Sequence, residues 1–514
     1  MNGADELLGR ALARGQADDP AILFGDETVT YGELDRRASR VAGALAGLGV
    51  VPDDRVVVLV HDRPQFFDVY LGAMKAGAVP VAINLRCSAK DLAYVIADSG
   101  CPVICLDAEF LDLFDEVRDG LARAPRVIVT NGPAPRDRPG HHALAELMAA
   151  AAPDFAPVQR GADAMAFWMY TSGTTGAPKG AVHALRALTV CDGYLRGELG
   201  LGRGDRLFCS SKLFFAFAIG HVLMAGLRMG ATAVLYDDWP SAEAIAQVVE
   251  RHRPTAMFSV PTFFRNLLRE GLADRPCFRD VRHYVSAGEK LPEPLFEQWR
   301  AHTGHEILEV IGATEAAFPF LGNRPGRVRP GTCGTPMPGV KVELRDDDGQ
   351  VVTATGVPGI LWVKAASLAL CYWGQDEKSR AVFRDGWYCT GDMFLRDAAG
   401  CYAHQGRGDD MLKISGQWVS PAEIEERVLT VPGVSEAVVV GARNADGLVR
   451  LALFVVAPDC RDPAALERQI MDTCKAGLSI YKCPRRIFVV DDLPRTPTGK
   501  VQRFALRDQV ADGG

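Results

Sequence analysis

Apolar and polar positions along the chain follow two rhythms. Short uninterrupted apolar runs at residues 55–60 (Arg-Val-Val-Val-Leu-Val), 79–84 and 102–106 read as strands buried on both faces. Amphipathic stretches lie between them. One runs from Thr30 through Leu45 and opens with Thr30 and Glu33 at capping-box spacing; another covers residues 66–76. The rhythm resumes with strands at 165–169, 206–210, 231–236, 256–260 and 283–286, separated by helical segments. Such alternation predicts an α/β fold with parallel-rich sheets flanked by helices. Residues 340–344 and 359–364 form a more β-rich subdomain, with a turn signal at Asp347-Asp348-Gly349. A charged α+β stretch follows Gly406-Arg407-Gly408-Asp409-Asp410, with strands at 434–441, 451–457 and 486–490. The expected division is a large domain over 1–408 and a small, mobile C-terminal domain over 409–514.

Composition narrows the function classes. At 514 residues, more than one domain is expected. A net charge of −7 argues against a nucleic-acid binder. The thirteen cysteines have no framework spacing, and Cys101 and Cys105 lack a second ligand pair for zinc. They read as buried thiols of a reduced, cytoplasmic protein. Residues 1–6 lack the basic start of a signal peptide. The most apolar segment, residues 213–227, contains His221 and falls short of the roughly 20 residues that span a bilayer. A soluble protein without a membrane or nucleic-acid partner is expected; whether it forms a homodimer is left open.

The chemistry gathers at Thr171-Ser172-Gly173-Thr174-Thr175-Gly176-Ala177-Pro178-Lys179-Gly180, directly after the strand at 165–169. Glycines admit backbone N–H groups close to an anion, hydroxyls add donors, and the lysine supplies full charge. This suits phosphate. A P-loop would need glycine before the lysine and a hydroxyl residue after it, whereas here Pro178 precedes Lys179 and Gly180 follows.

Five further segments follow in order: Ser286-Ala287-Gly288-Glu289, Ile311-Gly312-Ala313-Thr314-Glu315, Trp387-Tyr388-Cys389-Thr390-Gly391-Asp392, Gly406 to Gly416, and Pro494-Arg495-Thr496-Pro497-Thr498-Gly499-Lys500. With the 171–180 loop they resemble the adenylate-forming (AMP-binding) superfamily of acyl-CoA synthetases, luciferases and adenylation domains. The resemblance implies an acid–thiol ligase using ATP, Mg²⁺ and coenzyme A through an acyl-adenylate. It implies that the 171–180 loop holds the β- and γ-phosphates, with Thr314 near the α-phosphate and Glu315 on Mg²⁺. Asp392 would hold the ribose, Arg407 the ribose or a phosphate, and Ala287, Gly288, Glu289 and Gly312, beside Ala313, the adenine slot. Lys500 would be the main catalytic cation of adenylation. A rotation at the hinge residue Asp409 would then exchange it for the loop of Lys413, Ser415, Gly416 and Trp418, which admits the thiol.

Within the superfamily, the segments at 211–220 and 313–324 resemble benzoate-type aryl-CoA ligases. By position, Ala216, Phe217, Gly220, Ala287, Gly312, Phe318 and Pro319 would line the acyl pocket. These residues are apolar, which favours an aromatic or compact apolar acid. Phe217, Phe318 and Pro319 depart from the benzoate-ligase pattern, which leaves an alicyclic or bulkier acid open. Also open are a carrier protein as thiol acceptor in place of coenzyme A, and an enzyme that performs a single half-reaction.

Overall fold

Successive strand residues face opposite sides, and the apolar runs place a core on each. In a computed structural model of the protein, Val56 and Val58 of the Arg55–Leu59 strand enter a central core, while Val57 and Leu59 enter a peripheral one. The structure describes residues 1–135, 138–171, 177–408, 412–414, 417–443, 449–458, 460–495 and 501–512. By contacts it divides into two units: residues 1–342 with 363–389, and residues 343–362 with 390–514. The second unit therefore includes 343–362 and 390–408, which the boundary at Asp409 assigns to the large domain; Asp409 lies outside the described residues.

Two large sheets build the first unit. The nine-stranded sheet runs in the order Thr335–Pro336, Pro319–Gly322, Ile307–Gly312, His283–Ser286, Ala256–Ser259, Arg206–Cys209, Thr232–Leu235, Pro20–Phe24 and Glu27–Thr30. Its middle is parallel, and both margins turn antiparallel. The eight-stranded sheet is parallel from Met165–Thr171 through Val79–Ala82, Arg55–Leu59, Val103–Leu106 and Arg126–Val129 to His141–Ala143. At its other margin Lys179–Ala184 pairs antiparallel with Met165–Thr171, and Cys371–Tyr372 pairs with Lys179–Ala184.

Helices Tyr31–Gly47 and Pro64–Lys75 share the central core with residues of both sheets. Thr30 caps the first of them, its side chain accepting from Glu33 N–H. The apolar run at 213–227 is also central: it forms helical turns at Ala216–Ala218, Ile219–Ala225 and Gly226–Met229, and residues 218–229 are buried. Among the described residues, no helix is long and apolar enough to cross a membrane.

In the second unit, strands Glu436–Arg443, Val449–Val456 and Arg486–Val490 form a mixed sheet. Helices Pro421–Val428 and Pro463–Gly477 share one of its cores, and Arg503–Asp512 the other. Strands Trp387–Arg396 and Tyr402–Arg407 pair antiparallel, and within this unit Asp392 stands opposite Arg407.

Candidate active site

The hairpin of Met165–Thr171 and Lys179–Ala184 sets the first group of side chains. Thr171 lies opposite Lys179, and Tyr170 opposite Gly180. A Cβ at Gly180 would lie 3.3 Å from Tyr170 Cζ, so the glycine gives that ring its place. The tip, Ser172, Gly173, Thr174, Thr175 and Gly176, lies outside the described residues.

Lys179 Nζ lies 4.4 Å from the centre of the Tyr372 ring, and the Tyr372 hydroxyl donates to Glu315 Oε1 at 2.6 Å. A cation, an aromatic face and a carboxylate thus stand in series. Tyr372 is only 2% exposed and Glu315 8%, so the hydrogen bond to the carboxylate is made largely away from water. The register that brings Tyr372 there is its pairing with Ala181.

Thr314 and Glu315 sit on a single helical turn, Thr314–Ala316, just beyond the Ile307–Gly312 strand. His183 fixes this turn from below. Its Nε2 lies 2.9 Å from Thr314 O, its Nδ1 3.2 Å from Ser367 O, and its ring stacks 4.8 Å from Phe167. Burial pushes its pKa down to about 4, against the pull of the two carbonyls. A neutral ring donates from one nitrogen, and the shorter contact assigns that proton to Nε2, facing Thr314. The turn ends in strain. Ala317 has φ +61° and ψ −38°, and Phe318 N–H donates to Ala316 O at 2.7 Å, a γ-turn of the rare, strained hand. It aims the Phe318 ring at Gly220, where a Cβ would lie 3.2 Å from Phe318 Cδ1.

Gly312 ends its strand against Phe318 and Pro319, with little room for a Cβ: that atom would lie 3.2 Å from both Phe318 O and Pro319 Cα. Ala287, Gly288 and Glu289 follow the neighbouring parallel strand, His283–Ser286. This is the carboxyl edge of the sheet, where open α/β folds hold ligands. Gly288 adopts φ +85°, and Glu289 Oε2 accepts from the Thr262 hydroxyl at 2.9 Å. Ala216, Phe217 and Phe318 are half-buried and pack against the central core. Phe217 meets Phe258 edge-on at 6.0 Å and His221 at 5.0 Å.

In the second unit, Arg407 Nη1 lies 3.5 Å from Asp392 Oδ1 and donates to Thr390 O at 3.1 Å. Asp392 N–H donates to the Thr390 hydroxyl at 3.0 Å. Gly391, at φ +72°, lets the guanidinium cross, since a Cβ there would lie 2.9 Å from Arg407 Nη2. The backbones of Lys413 and Trp418 pair across a hairpin. Their side chains, together with Ser415, Gly416, Asp409 and Lys500, lie outside the described residues.

The structure thus gathers Thr171, Lys179, Thr314 and Glu315 around Tyr372 and His183, neither of which was singled out from the sequence. It also brings Gly220, Gly312, Phe318 and Pro319, four of the residues expected to line the acyl pocket, into contact at the end of that turn. A family model described as AMP-binding enzyme matches residues 10–373. The chain belongs to the AMP-binding enzyme family. A second model, AMP-binding enzyme C-terminal domain, matches residues 423–500 of this AMP-binding enzyme. The 3-hydroxybenzoate–CoA ligase of Aromatoleum sp. (strain CIB) is 46% identical to it, over 100% of this chain and 98% of the relative. The 3-hydroxybenzoate–CoA/4-hydroxybenzoate–CoA ligase of Thauera aromatica is also 46% identical, over 99% and 97%. Among solved structures, the anthranilate CoA ligase AuaEII in complex with anthranoyl-AMP superposes with a TM-score of 0.93 at 34% identity, over 100% of this chain and 98% of that one. The benzoate CoA ligase from Burkholderia xenovorans LB400 gives 0.88 at 38%, over 99% and 100%.

Proposed function

We propose that this AMP-binding enzyme is an ATP-dependent aryl-CoA ligase that activates a benzoate-class acid as its adenylate and passes it to the thiol of coenzyme A. One observation carries the reading: the Lys179–Tyr372–Glu315 series and the Gly220–Phe318 contact meet at one short turn, Thr314–Phe318. An anion cradle and an aromatic-lined slot then share a wall, as the joining of a carboxylate to an α-phosphate requires. The full-length likeness to ligases named for hydroxybenzoates and benzoate supports the acid class.

Each part has a task. Two anions repel as they approach, so cationic and hydrogen-bonding groups must already be in place. Lys179 and the 171–176 hydroxyls and glycines hold the outer phosphates, and the Thr314 turn, positioned through His183, faces the α-phosphate. Glu315, a carboxylate whose Oε1 is held by Tyr372, fits a hard divalent ion such as Mg²⁺. When bound, that ion neutralises phosphate charge. Asp392, with two acceptor oxygens, takes the ribose hydroxyls. Lys500 supplies the cation for adenylation, and after rotation at Asp409 the loop of Lys413, Ser415, Gly416 and Trp418 admits the thiol.

The test is ATP–pyrophosphate exchange across benzoates, cinnamates, alicyclic and medium-chain acids. Thioester formation with free coenzyme A and with carrier proteins is then measured in competition. Exchange with benzoates and transfer to coenzyme A are expected; exchange with none of these acids, or transfer to a carrier alone, overturns the reading.

A further inference from the structure

A polar side chain stands beside the residues proposed to line the acyl pocket. His221 lies one helical turn beyond Phe217, next to Gly220, and is 4% exposed. Its ring is fixed on two sides: it lies 4.7 Å from Phe258 at 32°, and meets Phe217 at 5.0 Å and 73°. Its Nδ1 lies 2.7 Å from Phe217 O. A carbonyl oxygen only accepts, so Nδ1 carries the proton and Nε2 presents a lone pair. Among the described residues Nε2 has no hydrogen-bond partner, and it is not one of the sealed, unpaired polar atoms of the interior. Burial pushes the His221 pKa down to about 4, so at neutral pH the ring is uncharged and Nε2 remains an acceptor. The backbone here takes the wide π-helical turn of Ile219–Ala225, a local irregularity that recurs at functional sites.

Water can pair Nε2 while the slot is empty, but an acid that displaces the water without offering a donor leaves the acceptor unpaired, at a cost in free energy. An apolar acid would impose that cost, and a ring hydroxyl would remove it. We propose that His221 determines specificity: its Nε2 accepts a hydrogen bond from a hydroxyl on the ring of the bound aromatic acid, so hydroxybenzoates are favoured over benzoate. This rests on the aryl-ligase reading and narrows it. Phe217 and Phe318, both half-buried, supply aromatic surface, and His221 supplies the acceptor that tells a phenol from an unsubstituted ring. Both 46% relatives carry hydroxybenzoate in their names, which accords with the proposal.

The experiment compares kcat/KM for adenylation, read by pyrophosphate exchange, among 3-hydroxybenzoate, 4-hydroxybenzoate, benzoate and their fluoro and methoxy analogues. In the wild-type enzyme the better hydroxybenzoate is expected to exceed both its fluoro analogue, of similar size without a donor, and its methoxy analogue, by about 10- to 100-fold. In His221→Leu the ratio of hydroxybenzoate to benzoate should fall by about tenfold or more. His221→Asn, which can still accept, should retain part of the preference. A merely structural role would lower all acids together and leave the ratio unmoved, which would overturn the proposal. So would a wild-type enzyme that uses benzoate and fluorobenzoates as well as the hydroxy acids; that comparison needs no variant to fold. If the wild type activates none of these acids, the aryl-ligase reading falls as well.

Discussion

Tyr372→Phe removes a single oxygen from the centre of the cradle. The hydroxyl it deletes donates to Glu315 Oε1 at 2.6 Å, while the ring face 4.4 Å from Lys179 Nζ is kept. A hydrogen bond to a charged group contributes about 1.5–3 kcal/mol. If Glu315 must be held in place for adenylation, that loss converts to a fall of roughly 10- to 150-fold in kcat/KM, at about 1.4 kcal/mol per tenfold. The cation–π contact survives, so binding of ATP should weaken less than turnover. The assay is pyrophosphate exchange at saturating acid, with ATP and Mg²⁺ each titrated, beside a thermal melt of the same preparation. The Mg²⁺ requirement should move to higher concentration while the melting temperature changes little. Tyr372→Leu, which loses ring and hydroxyl together, should be worse in both ATP affinity and rate. Exchange within twofold of wild type for Tyr372→Phe, with an unmoved Mg²⁺ titration, would refute the idea that this tyrosine positions Glu315.

Gly312→Ala puts a methyl 3.2 Å from Phe318 O and Pro319 Cα, backbone atoms that cannot swing away, so KM for the acid should rise several-fold in the exchange assay. Lys500→Ala should abolish adenylation yet still form thioester from a supplied acyl-adenylate. Gly416→Trp should do the reverse, as half-reaction assays would register. The pH dependence of His221 has a definite sign. Its pKa is about 4 when folded and about 6.5 when unfolded, so the unfolded chain binds the extra proton in that window. Its contribution is constant above pH 6.5, and stability is lost as pH falls toward 4, by about 2 kcal/mol at pH 5. Asp62 and Asp68, raised by burial to about 6 and about 7, pull the other way, so the difference between His221→Asn and wild type is the quantity to measure. Denaturant melts should show the variant gaining on wild type by about 2 kcal/mol between pH 7.5 and pH 5.

How much of this was legible in the residues follows from how local each feature is. The strand readings at 55–60, 102–106, 206–210, 283–286 and 359–364 hold to within a residue or two, because runs of buried apolar side chains state their own burial. The hairpin of Pro20–Phe24 and Glu27–Thr30 passed unnoticed: its second strand, Glu-Thr-Val-Thr, buries Val29 alone. Glycine and hydroxyl motifs were readable because what they do is done by adjacent residues. Tyr372 and His183 were not, since their partners come from sheet pairing and loop packing between distant stretches; Tyr372 and Glu315 stand 57 residues apart. His221 was seen only as an interruption in an apolar run. Its donor–acceptor state emerges only when the Phe217 carbonyl is found beside Nδ1.

The ties of His183 bear on when the enzyme can come into being. The ring bonds Thr314, 131 residues away, and packs beside Ser367, 184 residues away, while its own strand is extended by Cys371–Tyr372. Contacts this distant in sequence close large loops and form late. The first unit is also discontinuous, because residues 363–389 return to it after 343–362 have been spent on the second. On the ribosome, a chain that has reached residue 342 holds most of the large sheets and the His183 bond to the Thr314 turn, but not Tyr372, so Glu315 on that turn lacks the hydroxyl that holds it. Any fragment cut to isolate the large unit must therefore run through residue 389. An internal excision of 343–362 would preserve the unit better than a stop codon at its first contact boundary.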